Sequence, residues 1–295
     1  MFGKAVAAAT WSARLAQTNF FCYRRPMQTP EILGIIAGNG VYPRILAAAA
    51  RKAGVKKIVA AAFTDETDPS IDKQADVVEW VRVGQLGRLL KFFRGHKVHR
   101  AVMAGQIAPK NLFDLRPDVK ALVVLARLKQ RNAESIFTAI ADELKKSDVD
   151  LLPATTFLED DLAAKGLIAG AKLSRTEEED VDLGWSVAKE IARLDIGQTI
   201  IAKNGTVLAV EAFEGTNDAI KRGGALAREG AVMIKVAKPN QDMRFDVPVI
   251  GVETIKVAAE SKLRVIAIEA GKTLLLERDA IVDLAKHANI SIVAR

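Results

Sequence analysis

A repeating order of apolar strand and amphipathic helix is the feature that most limits how this chain can fold. An apolar strand from Ile32 to Ala37 runs into Gly38-Asn39-Gly40, an alanine-rich helix follows from Pro43 to Ala53, and Lys57 to Phe63 is the next strand. Strand, helix and strand in this order form a right-handed βαβ unit with two parallel strands. The sequence therefore predicts an α/β protein that begins with a parallel sheet.

The alternation continues and then breaks. Strands are predicted at Val77 to Val83 and Ala101 to Ala104, and helices at Leu86 to Arg94, Pro117 to Lys129 and Ala133 to Lys145. The pattern stops after Leu152-Pro153. With 295 residues the chain is long enough for two domains. We expect an N-terminal domain over residues 30–155, a linker over 156–175, and a separate C-terminal α/β domain over 176–295.

The segment Ala231 to Ile255 carries most of the candidate chemistry. It opens as a strand from Val232 to Val236 and then places many polar side chains between Pro239 and Pro248, neither of which can donate to a sheet ladder. We expect an irregular loop outside the core. Its candidate site residues are Lys235, Lys238, Gln241, Asp242, Arg244 and Asp246.

These residue types indicate phosphoester chemistry. Cations bind phosphate oxygens, and carboxylates bind a divalent metal or activate water. A solvated surface loop explains the composition about equally well, but Phe245 and Val247 alternate with the charges, which favours partial burial.

Glycine turns at two strand ends are weaker candidates. Gly38-Asn39-Gly40 stands before a helix, where glycine allows a phosphate to approach the helix N-terminus. The pattern lacks the third glycine of a dinucleotide fingerprint, although Asp65 stands where a ribose-binding acid is expected. A plain turn with Pro43 in the first helical turn explains it equally well. Gly105, Gln106 and Lys110 follow another strand and are candidates for the same sheet edge.

A hairpin is predicted at Thr199 to Lys203, Asn204-Gly205 and Val207 to Ala212. An acidic loop with Glu214, Thr216 and Asp218 follows it. Histidines are few and scattered, which excludes a two-metal calcineurin-like site and favours a hard ion such as Mg²⁺ held by carboxylates. We expect Asp246, Glu214 and Asp218 to be the metal ligands.

Composition and net charge limit the kinds of binding partner that we expect for this chain. The net charge of +7 and the pI of about 9.4 suit nucleic acid, an anionic membrane surface or a phosphorylated substrate. Aromatic residues make up 5% of the chain and no basic stripe alternates with them, so nucleic acid is not expected. The single cysteine, Cys22, excludes an intramolecular disulfide. No apolar run reaches the roughly 18 residues that a membrane-spanning helix needs.

Residues 1–29 are expected to be an extension outside the fold. The first 26 residues contain no acidic residue but include Lys4, Arg14, Arg24 and Arg25, as in an organellar transit peptide. The alternative, which we favour, is that translation starts at Met27. A chain that starts there is then expected to fold and act like the full chain.

Four long segments carry a family resemblance: IIAGNGVYP, RLDIGQTIIAKNGTVLAVEAFEGTNDAI, KVAKPNQDMRFDVPVIGVETI and AGKTLLLERDAIVDLA. In this order they resemble the UDP-2,3-diacylglucosamine pyrophosphatases of lipid A biosynthesis of the type unrelated to calcineurin-like phosphoesterases. The resemblance extends from about Pro30 to Arg295.

The resemblance implies a Rossmann-like N-terminal domain, a distinct C-terminal α/β domain, a substrate held between them, and a homodimer. It also implies Mg²⁺-dependent hydrolysis of UDP-2,3-diacylglucosamine to UMP and 2,3-diacylglucosamine 1-phosphate (lipid X), with Mn²⁺ as a possible substitute. Water attacks the sugar-side phosphate, and Asp246 stands at the position of the catalytic aspartate. The implied location is the bacterial cytoplasm, in transient contact with the inner membrane surface.

Two other functions stay open: an NAD(P)-dependent oxidoreductase built on Gly38-Asn39-Gly40 and Asp65, and a non-catalytic carrier of an anionic glycolipid. For hydrolysis, the expected catalytic residues are Asp246, Asp242 and Arg244. The expected substrate-binding residues are Gly38, Asn39, Gly40, Gly105, Gln106, Thr216, Lys235, Lys238 and Gln241.

Overall fold

The computed structural model of the chain describes residues 28–107, 117–129, 133–239 and 241–295. Lys110 and the extension before Gln28 therefore lie outside the described residues. The described chain forms an N-terminal domain on a parallel sheet and a C-terminal domain on a mixed sheet, which confirms the predicted two-domain α/β architecture.

The N-terminal sheet has five parallel strands in the order β3-β2-β1-β4-β5. This order is the Rossmann-like arrangement, in which successive strands are added on one side of β1 up to β3 and then on its other side from β4. A 3-10 helix at Pro69–Lys73 lies between β2 and β3. The elements are β1 Ile32–Ala37, α1 Tyr42–Lys52, β2 Lys57–Phe63, β3 Val77–Val81, α2 Leu86–Gly95, β4 Arg100–Ala104, α3 Val119–Arg127, α4 Ala133–Lys146 and β5 Asp150–Leu151.

Both faces of the N-terminal sheet are covered, which explains why its central strands are apolar throughout rather than alternating. On one face Leu33 and Ile35 of β1 pack with Leu46 of α1. On the other, Val59 of β2 packs with Phe93 of α2. The carboxyl ends of the strands are left as the edge where polar loops meet.

The C-terminal sheet has six strands in the order β6-β13-β11-β9-β7-β8. Strands β9, β11 and β13 are parallel, whereas β6, β7 and β8 pair antiparallel to their neighbours. A 3-10 helix at Glu159–Asp161 precedes it. The elements are β6 Gly166–Ala169, α5 Arg175–Arg193, β7 Thr199–Lys203, β8 Thr206–Val210, α6 Thr216–Ala227, β9 Ala231–Lys235, β10 Val249–Ile250, α7 Val252–Glu260, β11 Leu263–Ile268, β12 Leu274–Leu275, α8 Arg278–His287 and β13 Ser291–Ala294.

Helix α5 begins at a capping box, in which the Ser174 hydroxyl accepts from the Glu177 N–H and the Glu177 carboxylate accepts from the Ser174 N–H. The acidic residues Glu177 and Glu178 in its first turn suit the positive end of the helix dipole. Its buried face, which includes Val181 and Ala188, packs on the C-terminal sheet. None of the helices in the described ranges combines the length and the apolar character needed to cross a membrane.

Two features differ from the sequence prediction. Residues 166–169, placed in the linker, form the edge strand β6, which pairs with β13. Helix α6 was missed because Gly223-Gly224 lies inside it. A Cβ atom at Gly223 would lie 2.5 Å from Ile201 Cβ, and one at Gly224 would lie 2.6 Å from Ser261 Cβ. These glycines allow close helix packing and do not end the helix.

Residues from the C-terminal part of the chain pack into the core of the N-terminal domain. Strands β10 and β12 form a small parallel sheet, and Leu274 and Leu276 are buried in the same cluster as Leu33 and Leu46 of the N-terminal domain. The Ala163 N–H also donates to the Thr273 carbonyl at 2.9 Å. The segment between β9 and β12 therefore lies at the boundary between the domains.

Candidate active site at the domain boundary

The loop that follows β9 is held by both domains. Its Phe245 ring stacks on Phe137 of α4, with ring centroids 5.5 Å apart and 30° between the planes. The Ala154 N–H donates to the Met243 carbonyl at 2.7 Å. Val247 packs against the N-terminal core. These contacts confirm that the loop is partly buried and fix its polar residues at the boundary.

A pocket of about 120 Å³ lies beside this loop. Small-molecule sites usually measure roughly 300–1,000 Å³, so this pocket suits a phosphate-sized group and is too small for a whole nucleotide-linked lipid. Its walls come from the end of α5, the start of α4 and the loop itself. The lining residues that carry charge are Glu134, Arg193, Asp195, Lys238, Asp242 and Asp246.

Lys238 and Asp246 face each other in this pocket. The Lys238 ammonium lies 2.6 Å from an oxygen of Asp195 and 3.7 Å from an oxygen of Asp246. Burial lowers the pKa of Lys238, but the hydrogen bond to Asp195 and the negative charges of Asp246, Asp195 and Glu134 outweigh burial, so the net shift is upward. Lys238 is therefore a cation at neutral pH, and the Asp246 side chain is 38% exposed.

Gln241 adds an uncommitted donor. Its Oε1 accepts from the Lys238 N–H at 2.9 Å, which orients the amide. Its buried Nε2 has no hydrogen-bond partner within the described part of the chain. A buried donor of this kind favours a polar ligand in the pocket.

Asp242 and Arg244 bind each other. Arg244 Nε and Nη2 donate to both oxygens of Asp242, at 3.0 and 2.6 Å. The side-chain hydrogen bond from Arg244 holds the pKa of Asp242 below its usual range, and Asp242 raises the pKa of Arg244 in return. The pair stabilises the turn of the loop. The catalytic roles expected for these two residues stay predictions.

Lys235 is buried, contrary to the expectation that the polar residues of this segment lie outside the core. It is the last residue of β9 and is only 7% exposed. Its ammonium donates to Thr216 Oγ1 at 2.7 Å, and that hydroxyl donates to Glu211 Oε1 at 2.8 Å. Burial lowers the pKa of Lys235, while the charges of Glu211 and Asp246 oppose the shift. This hydrogen-bonded chain explains how a lysine is tolerated inside the sheet.

The three carboxylates expected to bind a metal do not form a cluster. Glu214 accepts from Arg222 at 2.5 Å, and Asp218, which lies on α6 and not in a loop, pairs with Lys221 at 3.1 Å. Asp246 lies in the pocket with Lys238. Across the described residues, no group of three histidine, cysteine or acidic side chains is placed to hold a metal ion. The three residues do not fit a preformed metal site, and metal binding stays a prediction.

The glycine turns of the N-terminal domain have a structural explanation. The loops after β1 and β4 pair through Asn39 and Gln106. The Asn39 N–H donates to the Gln106 carbonyl at 2.7 Å. A Cβ atom at Gly38 would lie 2.7 Å from the Gln106 carbonyl oxygen, and one at Gly105 would lie 2.5 Å from that of Asn39. Both glycines allow the two loops to touch. Their expected contact with substrate stays a prediction.

A second pocket, of about 530 Å³, lies at the carboxyl edge of the N-terminal sheet. It brings together Asn39, Gly40 and Asp65, three residues that the sequence selected, with Trp80 on its wall. At Gly40, with φ +87°, a Cβ atom would meet no heavy atom of the described chain within 4 Å, so this backbone is open to a ligand. Asp246 lines the smaller pocket and not this one.

Sequence reasoning did not select several residues around the site. Glu211 directly follows β8, Glu269 directly follows β11, and Asp195 and Lys189 come from the end of α5. Acidic residues directly after buried strands were the available signal, because strand ends are where polar groups of an α/β sheet meet.

Together the fold and the site define a two-domain α/β protein with a charged, partly buried loop where the domains meet. Residues 32–161 match the LpxI N-terminal domain model and residues 164–293 match the LpxI C-terminal domain model. A relative from Caulobacter vibrioides, named UDP-2,3-diacylglucosamine pyrophosphatase LpxI, is 31% identical over 274 residues, which cover 88% of this chain and 96% of the relative. The chain belongs to the LpxI family.

Proposed function

We propose that this protein hydrolyses the pyrophosphate bond of UDP-2,3-diacylglucosamine and releases UMP and 2,3-diacylglucosamine 1-phosphate. The observation that carries the proposal is the match to the Caulobacter vibrioides pyrophosphatase over almost the whole of both chains. The charged boundary pocket supports it, because it offers a cation, a free amide donor and an exposed carboxylate in a space of phosphate size.

Each group in the pocket has a role in this reaction. The Lys238 ammonium binds phosphate oxygens and offsets the charge that develops on them as water attacks. The Gln241 Nε2 donates a further hydrogen bond. The Asp246 carboxylate accepts a hydrogen bond from the attacking water and orients it toward the sugar-side phosphorus. The Asp242–Arg244 pair and the Phe137–Phe245 stack keep the loop in place.

The reaction is proposed to need Mg²⁺, with Mn²⁺ as a substitute. A divalent ion would supply further charge neutralisation at the pyrophosphate. Since Glu214 and Asp218 are engaged elsewhere, one oxygen of Asp246 would hold the ion while the other accepts from the water, and the substrate phosphates and further water would supply the remaining ligands. Mg²⁺ is often bound through one or two carboxylates together with substrate phosphates.

The deciding experiment incubates purified protein with UDP-2,3-diacylglucosamine and Mg²⁺ and identifies the products by mass spectrometry. Formation of UMP and the sugar 1-phosphate supports the proposal, and incorporation of ¹⁸O from labelled water into the sugar 1-phosphate supports attack on the sugar-side phosphorus. Binding without turnover would favour the glycolipid carrier. Saturable binding of NAD(P) with no hydrolysis would favour the oxidoreductase.

The lipid substrate implies contact with the inner membrane surface from the bacterial cytoplasm. Helix α3 supports this part of the proposal, because Val119, Leu122 and Val123 on it are exposed large apolar residues. Arg127 lies on the same helix and suits anionic headgroups, whereas Lys120 is paired with Glu143 at 2.5 Å. Flotation with anionic vesicles should recover the parent protein and much less of Leu122→Asp; equal recovery would rule out this face.

A homodimer is the expected assembly. Light scattering on the purified protein should give twice the mass of 31.9 kDa calculated for one chain. A mass of one chain at micromolar concentration would exclude a stable dimer.

A further inference from the structure

Both backbone polar groups of Ala237 are bonded by a partly buried ion pair. Glu269 Oε2 accepts from the Ala237 N–H at 2.8 Å and from Lys189 Nζ at 2.5 Å. The same Lys189 ammonium donates to the Ala237 carbonyl at 3.2 Å. Both polar groups of one residue are therefore held by Lys189 and Glu269, which we call the Ala237 clamp.

The clamp joins three elements at the start of the pocket loop. Lys189 comes from α5, Glu269 directly follows β11, and Ala237 follows β9 and is fully buried. The next residue is Lys238. A change in the backbone at Ala237 would therefore displace the backbone of Lys238, whose ammonium contacts Asp195 and Asp246.

The surroundings keep the Glu269 carboxyl ionised. Burial disfavours the ionised form of Glu269, but hydrogen bonds from Lys189, Lys272 and the Ala237 N–H outweigh it and lower its pKa. Lys189 also lies 5.9 Å from the centroid of the Trp185 ring, which adds a cation–π contact on its other side. A charge-assisted bond of this kind is stronger than one between neutral groups and holds its direction.

We propose that Lys189 and Glu269 are positioning residues, which set the Ala237 peptide so that Lys238 faces Asp246 across the phosphate-sized pocket. Neither residue lines that pocket. The inference rests on the proposed hydrolysis only for its kinetic effect. The geometry of the clamp is testable without any substrate.

Lys272 provides a matched control. Its ammonium lies 2.8 Å from Glu269 Oε1, the oxygen that does not bond Ala237, and its side chain is about half exposed. Lys272→Met removes one of the two cations that contact the Glu269 carboxylate and leaves the Ala237 contacts in place. Lys189→Met removes one charge and also the bond to the Ala237 carbonyl.

The first test is hydrogen exchange of the backbone amides, which needs no substrate. Glu269→Ala should speed exchange in the peptide that contains Ala237 and in the following loop by at least about tenfold, because the Ala237 N–H loses its acceptor. Lys272→Met should leave exchange there within about twofold of the parent. Unchanged exchange in Glu269→Ala would overturn the clamp.

The second test is kinetic and uses the parent, Glu269→Ala, Glu269→Gln, Lys189→Met and Lys272→Met. We expect Glu269→Ala and Lys189→Met to lower kcat by at least about tenfold with KM within about threefold, since positioning matters most in the transition state. Glu269→Gln can still accept from Ala237 and should recover most of kcat. Lys272→Met should match the parent.

The outcomes separate the two proposals. A parent protein that does not hydrolyse the substrate refutes the proposed function, and hydrogen exchange still decides the clamp. An active parent with kcat preserved in Glu269→Ala and Lys189→Met refutes the positioning role. Equal losses in Lys272→Met and Lys189→Met refute it too, because charge alone would then explain the effect. If Glu269→Ala does not fold, Lys189→Met carries both tests, because it removes the bond to the Ala237 carbonyl, and Glu269→Gln is the conservative variant that should resemble the parent.

Discussion

The Lys238 ammonium lies 3.7 Å from the Asp246 carboxylate, and only 2.6 Å from that of Asp195. The closer contact ties Lys238 to the end of α5, and the longer one leaves Asp246 able to bind a ligand group. A phosphate oxygen that enters the pocket can bind Lys238 without first breaking a tight Lys238–Asp246 bond.

Asp246→Asn is therefore expected to lower kcat by at least about 100-fold and to leave the fold intact, because the amide keeps the shape but loses the charge. Steady-state kinetics and thermal unfolding measure the two effects. Glu253→Gln, on a surface carboxylate that pairs with Lys256, is the control and should act like the parent. Activity of Asp246→Asn within about tenfold of the parent would make Asp246 structural and move the catalytic role to Asp242, the other carboxylate of the loop that lines the pocket.

Chelation should abolish turnover. Activity in EDTA is expected to fall to background and to return with Mg²⁺ or Mn²⁺, because pyrophosphate hydrolysis needs charge neutralisation that Lys238 alone does not supply. Because no preformed carboxylate cluster lies in the described residues, Mg²⁺ should bind the free protein weakly and bind more tightly with product present. Calorimetry of the free protein and of its complex with UMP measures this, and full activity in chelator would reject the metal.

Gly223→Ala should destabilise the protein by about 1–3 kcal/mol, because its Cβ would lie 2.5 Å from that of Ile201 in β7. Gly95→Ala is the matched control: it also lies in a helix, but a Cβ there meets no heavy atom of the described chain within 4 Å. Chemical unfolding should give a lower midpoint for Gly223→Ala alone. Equal midpoints would mean that α6 can move away from β7 without lowering the free energy of unfolding.

Glu143 should make stability depend on acid pH. Hydrogen bonds from Lys120 and Lys146 lower the pKa of Glu143 from 4.5 to about 2 in the folded protein. A lowered carboxyl pKa stabilises the fold above the unfolded value, and this gain is lost as the pH falls from about 4.5 to about 2. Glu143→Gln should thus be less stable than the parent at pH 7 and approach it only near pH 2. A constant difference across this range would contradict the ion-pair explanation.

The parts of the fold that the sequence predicts are the local ones. Between Ile32 and Phe63, the residues Gly38, Pro43 and Gly54 mark where each strand and helix begins or ends. The hairpin at Asn204-Gly205 needs only a two-residue turn. The prediction missed helix α6 because Gly223-Gly224 is typical of a loop unless the packing partners Ile201 and Ser261 are known.

The features of the candidate site also fall into local ones, which the sequence predicts, and long-range ones, which it does not. Asp246, Lys238 and Gln241 lie within one loop, so their common place followed from the segment itself. The burial of Lys235 depends on Thr216, 19 residues away, and the clamp on Ala237 depends on Glu269, 32 residues away, which in turn binds Lys189 at a separation of 80. Such contacts are set by the topology of the sheet and leave no periodic signal in the chain.

The burial of Leu274 and Leu276 against the N-terminal core has a consequence for how the molecule unfolds. Separating the halves would expose those leucines and break the hydrogen bond from the Ala154 N–H to the Met243 carbonyl, so we expect the two halves to unfold together. The chain should melt in a single cooperative transition, with calorimetric and van't Hoff enthalpies in agreement.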